Sequence, residues 1–148
     1  MVSKLIRWLL VGVFCLFAPL SYAEQSKTVG DFTIHYNTLK TGFLTPEIAK
    51  NYGIVRSKQR AMLTISIRQG EMGNDIAVPA SITAQAVNLT KQLKTITLKK
   101  VKDGDALYYI GTFKIYNEEI FDFTLNVTPE GHEGEPVEIT FRQQFFED

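Results

Sequence analysis

The sequence predicts an all-β fold, a two-sheet antiparallel sandwich of immunoglobulin-like architecture with about seven strands and one short helix between the first two. Three observations predict it. Apolar residues recur at every second position through most of the chain, turn-forming residues punctuate those runs, and 45% hydrophobic content over 148 residues supplies a core. An aromatic content of 11% argues against a disordered chain, and no collagen-like or low-complexity stretch is present.

The first 23 residues stand apart from this pattern. Lys4 and Arg7 form a basic start, residues 8–20 are an apolar run interrupted near its end by Pro19, and Ser21 and Ala23 place small residues where a signal peptidase reads. The run is shorter than the ~20 residues that span a bilayer. Residues 1–23 therefore read as a cleavable signal peptide and residues 24–148 as a single exported domain with no membrane span after processing. Phe14 before Cys15 and the apolar residues after it argue against a lipid-attachment signal. Processing removes Cys15 and Trp8, leaving a mature chain without cysteine or tryptophan. Disulfides, thiol nucleophiles, iron–sulfur clusters and cysteine zinc sites are excluded for that form. Burial alone must hold it, and a domain of this length buries about two-thirds of its unfolded surface.

Each element has its own signal. Phe32, Ile34 and Tyr36 alternate with Asp31, Thr33, His35 and Asn37, a strand with one buried face. Thr45, Pro46 and Glu47 read as N-cap, first-turn proline and acidic first turn, and Gly53 stands at a C-terminal cap, so residues 46–52 form the helix. Ile48 and Tyr52, four apart, are expected to give it an apolar face toward the sheets. Ala61, Leu63, Ile65 and Ile67 mark the second strand, closed by the turn residues 70–75. Residues 81–89 and 92–101 are weaker runs that complete the count. Asp103-Gly104 suits a tight hairpin into the strand marked by Leu107, Tyr109, Phe113 and Ile115, in which Gly111 signals a bulge or a close approach. Tyr116, Asn117 and Glu118 are expected to reverse a further hairpin into Phe121, Phe123, Leu125 and Val127. The Gly-containing loop 129–136 leads to Val137, Ile139, Phe141 and Phe145. The cysteine and tryptophan core signature of antibody domains is absent, and a lipocalin-like barrel is the alternative architecture.

Residues 29–37 (VGDFTIHYN), 43–60 (FLTPEIAKNYGIVRSKQR) and 141–146 (FRQQFF) resemble a family of small exported proteins of Gram-negative bacteria, the domain of unknown function numbered forty-four twenty-six. The resemblance covers essentially the whole mature chain. It implies a periplasmic β-sandwich and supplies no catalytic residue, cofactor or partner.

Charge and chemistry narrow the function classes. Loss of Lys4 and Arg7 takes the chain from 16 cationic and 16 acidic side chains to 14 and 16, a net charge of −2. Residues 24–102 carry 12 basic and 5 acidic side chains and residues 103–148 carry 2 and 11, an asymmetry that interleaved strands would mix in space. Nucleic acid is not an expected partner. The histidines are His35, on the outward parity of its strand, and His132, in a loop, and no Gly-x-Ser-x-Gly elbow exists, so no hydrolytic triad is expected. The loop Glu130, His132, Glu133 and Glu135 does not match an EF-hand spacing and reads as a solvated hairpin loop. Copper-type donors are confined to Met62, Met72, His35 and His132, and no cofactor is expected.

The candidate ligand-binding residues are Arg56, Ser57, Lys58 and Arg60, three cations around a hydroxyl suited to a carboxylate or phosphate, the plain alternative being a solvated edge whose cations discourage pairing. Lys94, Lys99, Lys100 and Lys102 read as edge protection. Phe146 falls on the outward parity and is a candidate anchor. The leading expectation is a non-enzymatic module that binds a periplasmic or envelope protein through a strand edge or end loops. A small-ligand carrier or enzyme with a site near Arg56 and Arg60, and a metal carrier, are the alternatives.

Overall fold

A computed structural model describes residues 25–147; the predicted signal peptide, residues 1–23, lies outside the described residues. Among the described residues ten strands form two antiparallel sheets: β1 (Gln25–Val29), β2 (Phe32–Lys40), β3 (Arg60–Gln69), β4 (Ile76–Ala77), β5 (Ala80–Asn88), β6 (Leu93–Ile96), β7 (Lys99–Asp103), β8 (Ala106–Lys114), β9 (Ile120–Pro129) and β10 (Val137–Gln144). One sheet runs β1-β2-β3-β8-β7, with β4 on β3, and the other runs β10-β9-β5-β6. Each sheet draws strands from both halves of the chain, so the basic and acidic halves are interleaved.

The strand count exceeds the expected seven by three, through the two-residue β4, which pairs with the end of β3 just after the turn at 70–75, through β1, and through the division of one expected run. β1 carries no apolar alternation because it is an exposed edge strand, with Gln25, Ser26, Lys27 and Thr28 all open to solvent. The single run expected at 92–101 is two strands in different sheets, joined across the sandwich by Thr97 and Leu98. The reversal expected at 116–118 is not a hairpin: it carries the chain from β8 in one sheet to β9 in the other. Tyr116 O accepts from Glu119 N, and Tyr116 N donates to the Glu119 carboxylate at 3.1 Å.

The alternation itself places the core. Ile34, Leu63, Ile65 and Ile67 from one sheet, with Ile115 just past the end of β8, meet Phe121, Phe123, Leu125, Val127 and Ile139 from the other. Phe113 stands edge-on to Phe121, Phe123 and Phe145 at 5.6–5.8 Å between centroids, an arrangement that aligns ring edges with ring faces. Phe123 stacks on Phe141 at 4.6 Å. Gly111 is the close approach rather than a bulge: a Cβ there would lie 2.5 Å from Ile96 Cγ2 and 2.7 Å from Thr97 O. The side chain that glycine lacks is the space through which β6 crosses to β7.

The helix α1 (Pro46–Tyr52) forms as its caps dictate. Thr45 Oγ1 accepts from Ile48 N at 3.3 Å, Pro46 stands in the first turn, and Gly53 closes the C-terminus at φ 67°, a left-handed conformation that costs glycine least. A 3₁₀ turn, Thr41–Phe43, precedes it and was not foreseen from sequence. The expected packing face is corrected: Ala49 is the buried residue, while Ile48 is 42% exposed. Together, α1 and the segment after it form a strap over the outward face of β8 and β7, where Tyr52, Gly53 and Ile54 line a cleft with Val101, Ile110 and Thr112. The strap buries Ile110, outward by parity, and Met62 on β3 is buried on the same face. Tyr52 Oη donates to Asp103 Oδ2 at 3.1 Å, and burial, with that carboxylate close by, pushes the phenol above its ordinary pKa.

Candidate functional site

The two lateral sides of the sandwich end differently. On one side β6 and β7 are joined by two residues. On the other, β1 and β10 are neighbours: Lys27 Nζ donates to Glu138 O at 2.8 Å, and Tyr36 packs on Phe141 at 5.0 Å between centroids. Among the described residues that contact zone reaches Gln25, which is opposite Tyr36. Beyond it, a groove of about 470 Å³ opens between Thr38, Leu39, Lys40 and Phe43 on one wall and Gln143, Gln144, Phe145 and Phe146 on the other.

Its apolar character is exposed rather than buried. Phe43 is 68% and Phe146 46% accessible, whereas Phe145 turns into the core. Lys40 Nζ lies 4.9 Å above the Phe43 ring, a cation–π contact on the groove rim. Thr41, fully buried beside it, fastens the strap: its Oγ1 accepts from Ser57 N at 2.9 Å and donates to Ser57 O at 3.2 Å.

None of the candidate ligand-binding residues singled out from sequence lines this groove, and they do not converge on one point. Arg56 is exposed and its Nη2 donates to Gly42 O at 3.4 Å, one residue from Phe43. Ser57 Oγ accepts from Gln59 N at 3.0 Å and so shapes its own turn. Lys58 is exposed, with its backbone N beside Gly42. Arg60 points elsewhere, donating to Thr112 Oγ1 at 3.0 Å on the outward face of β8. Gln59 donates to Glu147 at 3.4 Å, which ties the C-terminal tail to the same end of the molecule. The place of Phe43 and of the end of β2 on the groove wall has no signal in the sequence, where Phe43 has no periodic partner. Phe146 was the available signal.

Other chemistry-bearing residues are dispersed. His132 packs edge-on against Phe32 at 6.0 Å and its Nε2 lies 3.2 Å from Glu135 O, which orders it more than a solvated loop requires. His35 is half-buried on the outward face between Ser26 and Ser66. Met62 is buried and Met72 almost fully exposed. Among the described residues no three His, Cys, Asp or Glu side chains are grouped to hold a metal ion, and no helix is long and apolar enough to cross a membrane. The Arg142 guanidinium grips Asp122 at 2.7 and 3.0 Å on the outward face of the second sheet and holds that carboxyl below its ordinary range. Lys99, Lys100 and Lys102 lie on β7, an edge strand, as expected of edge protection.

Comparison with known proteins matches this architecture. No curated protein matches the chain. A solved DUF4426 family protein from Pseudomonas aeruginosa PAO1 is 30% identical, with a TM-score of 0.71 over 84% of this chain and 96% of that one. FetP from uropathogenic Escherichia coli strain F11, expressed in the periplasm of E. coli, is 14% identical with a TM-score of 0.58 over 83% and 93% of the two chains. A copper-bound variant of FetP is likewise 14% identical, with a TM-score of 0.57 over 83% and 90%. At that identity FetP shares the fold alone. The model of a domain of unknown function, DUF4426, matches residues 26–148, and the chain belongs to that family.

Proposed function

We propose that the chain is an exported, periplasmic, non-enzymatic binding module whose contact surface is the groove between the end of β2 and the end of β10. The observation that carries this reading is the pair of accessible aromatic rings, Phe43 and Phe146, on facing walls of an otherwise well-packed sandwich. Exposed aromatics in a concave, mainly apolar site with a cationic rim are what a protein contact uses. That rim is Lys40, on the groove wall, and Arg56, bonded to Gly42 O beside Phe43; the Arg56, Ser57, Lys58 and Arg60 segment enters this reading through Arg56 rather than as a separate small-ligand pocket, because Arg60 is directed to β8. Expression of FetP in the periplasm supports the address. Its copper is not carried over, since the donors His35, His132, Met62 and Met72 occupy separate parts of the described structure.

Immobilised protein in a periplasmic extract tests the reading. A saturable partner retained by the native protein and lost when Phe43→Ser and Phe146→Ser are combined is the expected result. Both rings are solvent-exposed, so the double variant should keep its melting temperature. Retention unchanged by the two substitutions, or no saturable partner, would contradict it.

A further inference from the structure

The strap does not seal the sheet face it covers. Beneath it a cleft of about 180 Å³ is lined on the strap side by Tyr52 and Ile54, and on the sheet side by Val101, Ile110 and Thr112, with Thr97 and Lys99 beside them. Ligand pockets for drug-sized molecules start at about 300 Å³, so this one admits a body of only a few carbons. The strap is fixed at both ends, by Thr41 on Ser57 and by Tyr52 on Asp103, so the cleft stands ready-made. Ile54, Val101 and Ile110 give it an apolar bed. Lys99 is opposite Ile110 in the β7–β8 register, which sets both side chains on the outward face, whereas Lys100 and Lys102 take the other parity. Protection of an edge does not call for a lysine under the strap. Elsewhere on the sheets Arg68 is matched by Asp75 and Arg142 by Asp122, but no carboxylate among the described residues engages Lys99. The nearby carboxylate, Asp103, accepts from Tyr52. Thr112 Oγ1 accepts from Arg60 Nη2 at 3.0 Å, and no acceptor among the described residues takes its own hydrogen.

We propose that this cleft is a second binding site, apart from the groove, and that it takes a small branched aliphatic carboxylate. The alkyl body lies between Ile54, Val101 and Ile110, and the carboxylate accepts from Lys99 Nζ and from the Thr112 hydroxyl. Each part of the ligand answers to a part of the cleft. An ammonium and a hydroxyl hydrogen that the chain leaves without an acceptor select an anion, since a charge-assisted bond is the strongest either can form there. The apolar bed selects against a fully hydrated anion such as phosphate, which gains nothing from Ile54 and Ile110 and must shed water to reach Lys99.

The probe is 3-methylbutanoate, titrated into the protein and followed by backbone amide shifts. Its uncharged counterpart is 3-methylbutanamide, and inorganic phosphate is the anion without an alkyl body. Saturable shifts at Ile54, Ile110 and Thr112 are expected, with the acid bound at least about tenfold more tightly than the amide or phosphate. Lys99→Met keeps the stem without the charge and should cost about tenfold in affinity, and Thr112→Val about threefold, with Thr112→Ser close to native. The combined Phe43→Ser and Phe146→Ser variant should bind the probe as the native protein does, which separates this site from the groove. Lys99 is exposed, so Lys99→Met should melt with the native protein; should it fail to fold, the comparison of acid with amide on the native chain decides. No saturable shift at millimolar probe, equal affinity for acid and amide, phosphate bound as tightly as the acid, a folded Lys99→Met variant with native affinity, or shifts confined to the groove would each overturn the proposal.

Discussion

The two lateral sides of this sandwich solve one problem, how to end a pair of sheets, in opposite ways. The β6/β7 side is covalently closed by a two-residue crossover, and Gly111 lets the backbone of Thr97 pass within contact distance of β8. The β1/β10 side is closed by side chains, the Lys27 bond and the Tyr36–Phe141 contact, and only along the length of β1. Covalent closure leaves β6 and β7 as edge strands, with Lys99, Lys100 and Lys102 along β7. Side-chain closure leaves two aromatic rings, Phe43 and Phe146, exposed across a groove, a surface suited to binding.

Breaking the closed side should have the largest effect. Gly111→Ala places a methyl group against backbone that cannot rotate aside, and we expect a loss of about 3 kcal/mol in urea unfolding. Combining it with Ile96→Ala should recover little, because the Thr97 carbonyl remains in the way. Full recovery would show that the glycine answers only to the Ile96 side chain.

The clasp at the rim of the open side should follow. Thr41→Val keeps the shape but leaves Ser57 N and O buried without the hydroxyl, an expected cost of about 2 kcal/mol, whereas Thr41→Ser should retain most of the stability. The same substitution should weaken binding in the groove, since Thr41 fastens the segment that carries Phe43 to the one that carries Arg56. Calorimetry of the two variants checks the first expectation, and titration with a groove ligand the second.

The contrast between the sides also shows what the sequence could reveal. Buried strands such as β3 and β9 were legible because one face is immersed in the core and the other is not, which writes a period of two into Leu63, Ile65 and Ile67 and into Phe121, Phe123 and Leu125. The helix was legible from Thr45, Pro46 and Gly53, whose roles depend on local backbone alone. β1 was not, because an edge strand exposed on both faces needs no apolar residue. The sheet assignments of β6 and β7 were hidden too, as Thr97 and Leu98 carry no turn chemistry when a strand changes sheets without reversing. At the site, the cations Arg56 and Lys58 were visible as a cluster. That Arg60 leaves them for Thr112, and that Phe43 joins Phe146, depends on a juxtaposition of chain ends that no local pattern encodes.

Capture from a periplasmic extract, run side by side on the native protein and the combined Phe43→Ser and Phe146→Ser variant, tests the claim of a contact surface at the groove most directly. The account predicts a saturable partner that the native protein retains and the double variant loses at least about tenfold, with melting temperatures unchanged. Equal retention by the two proteins would contradict it.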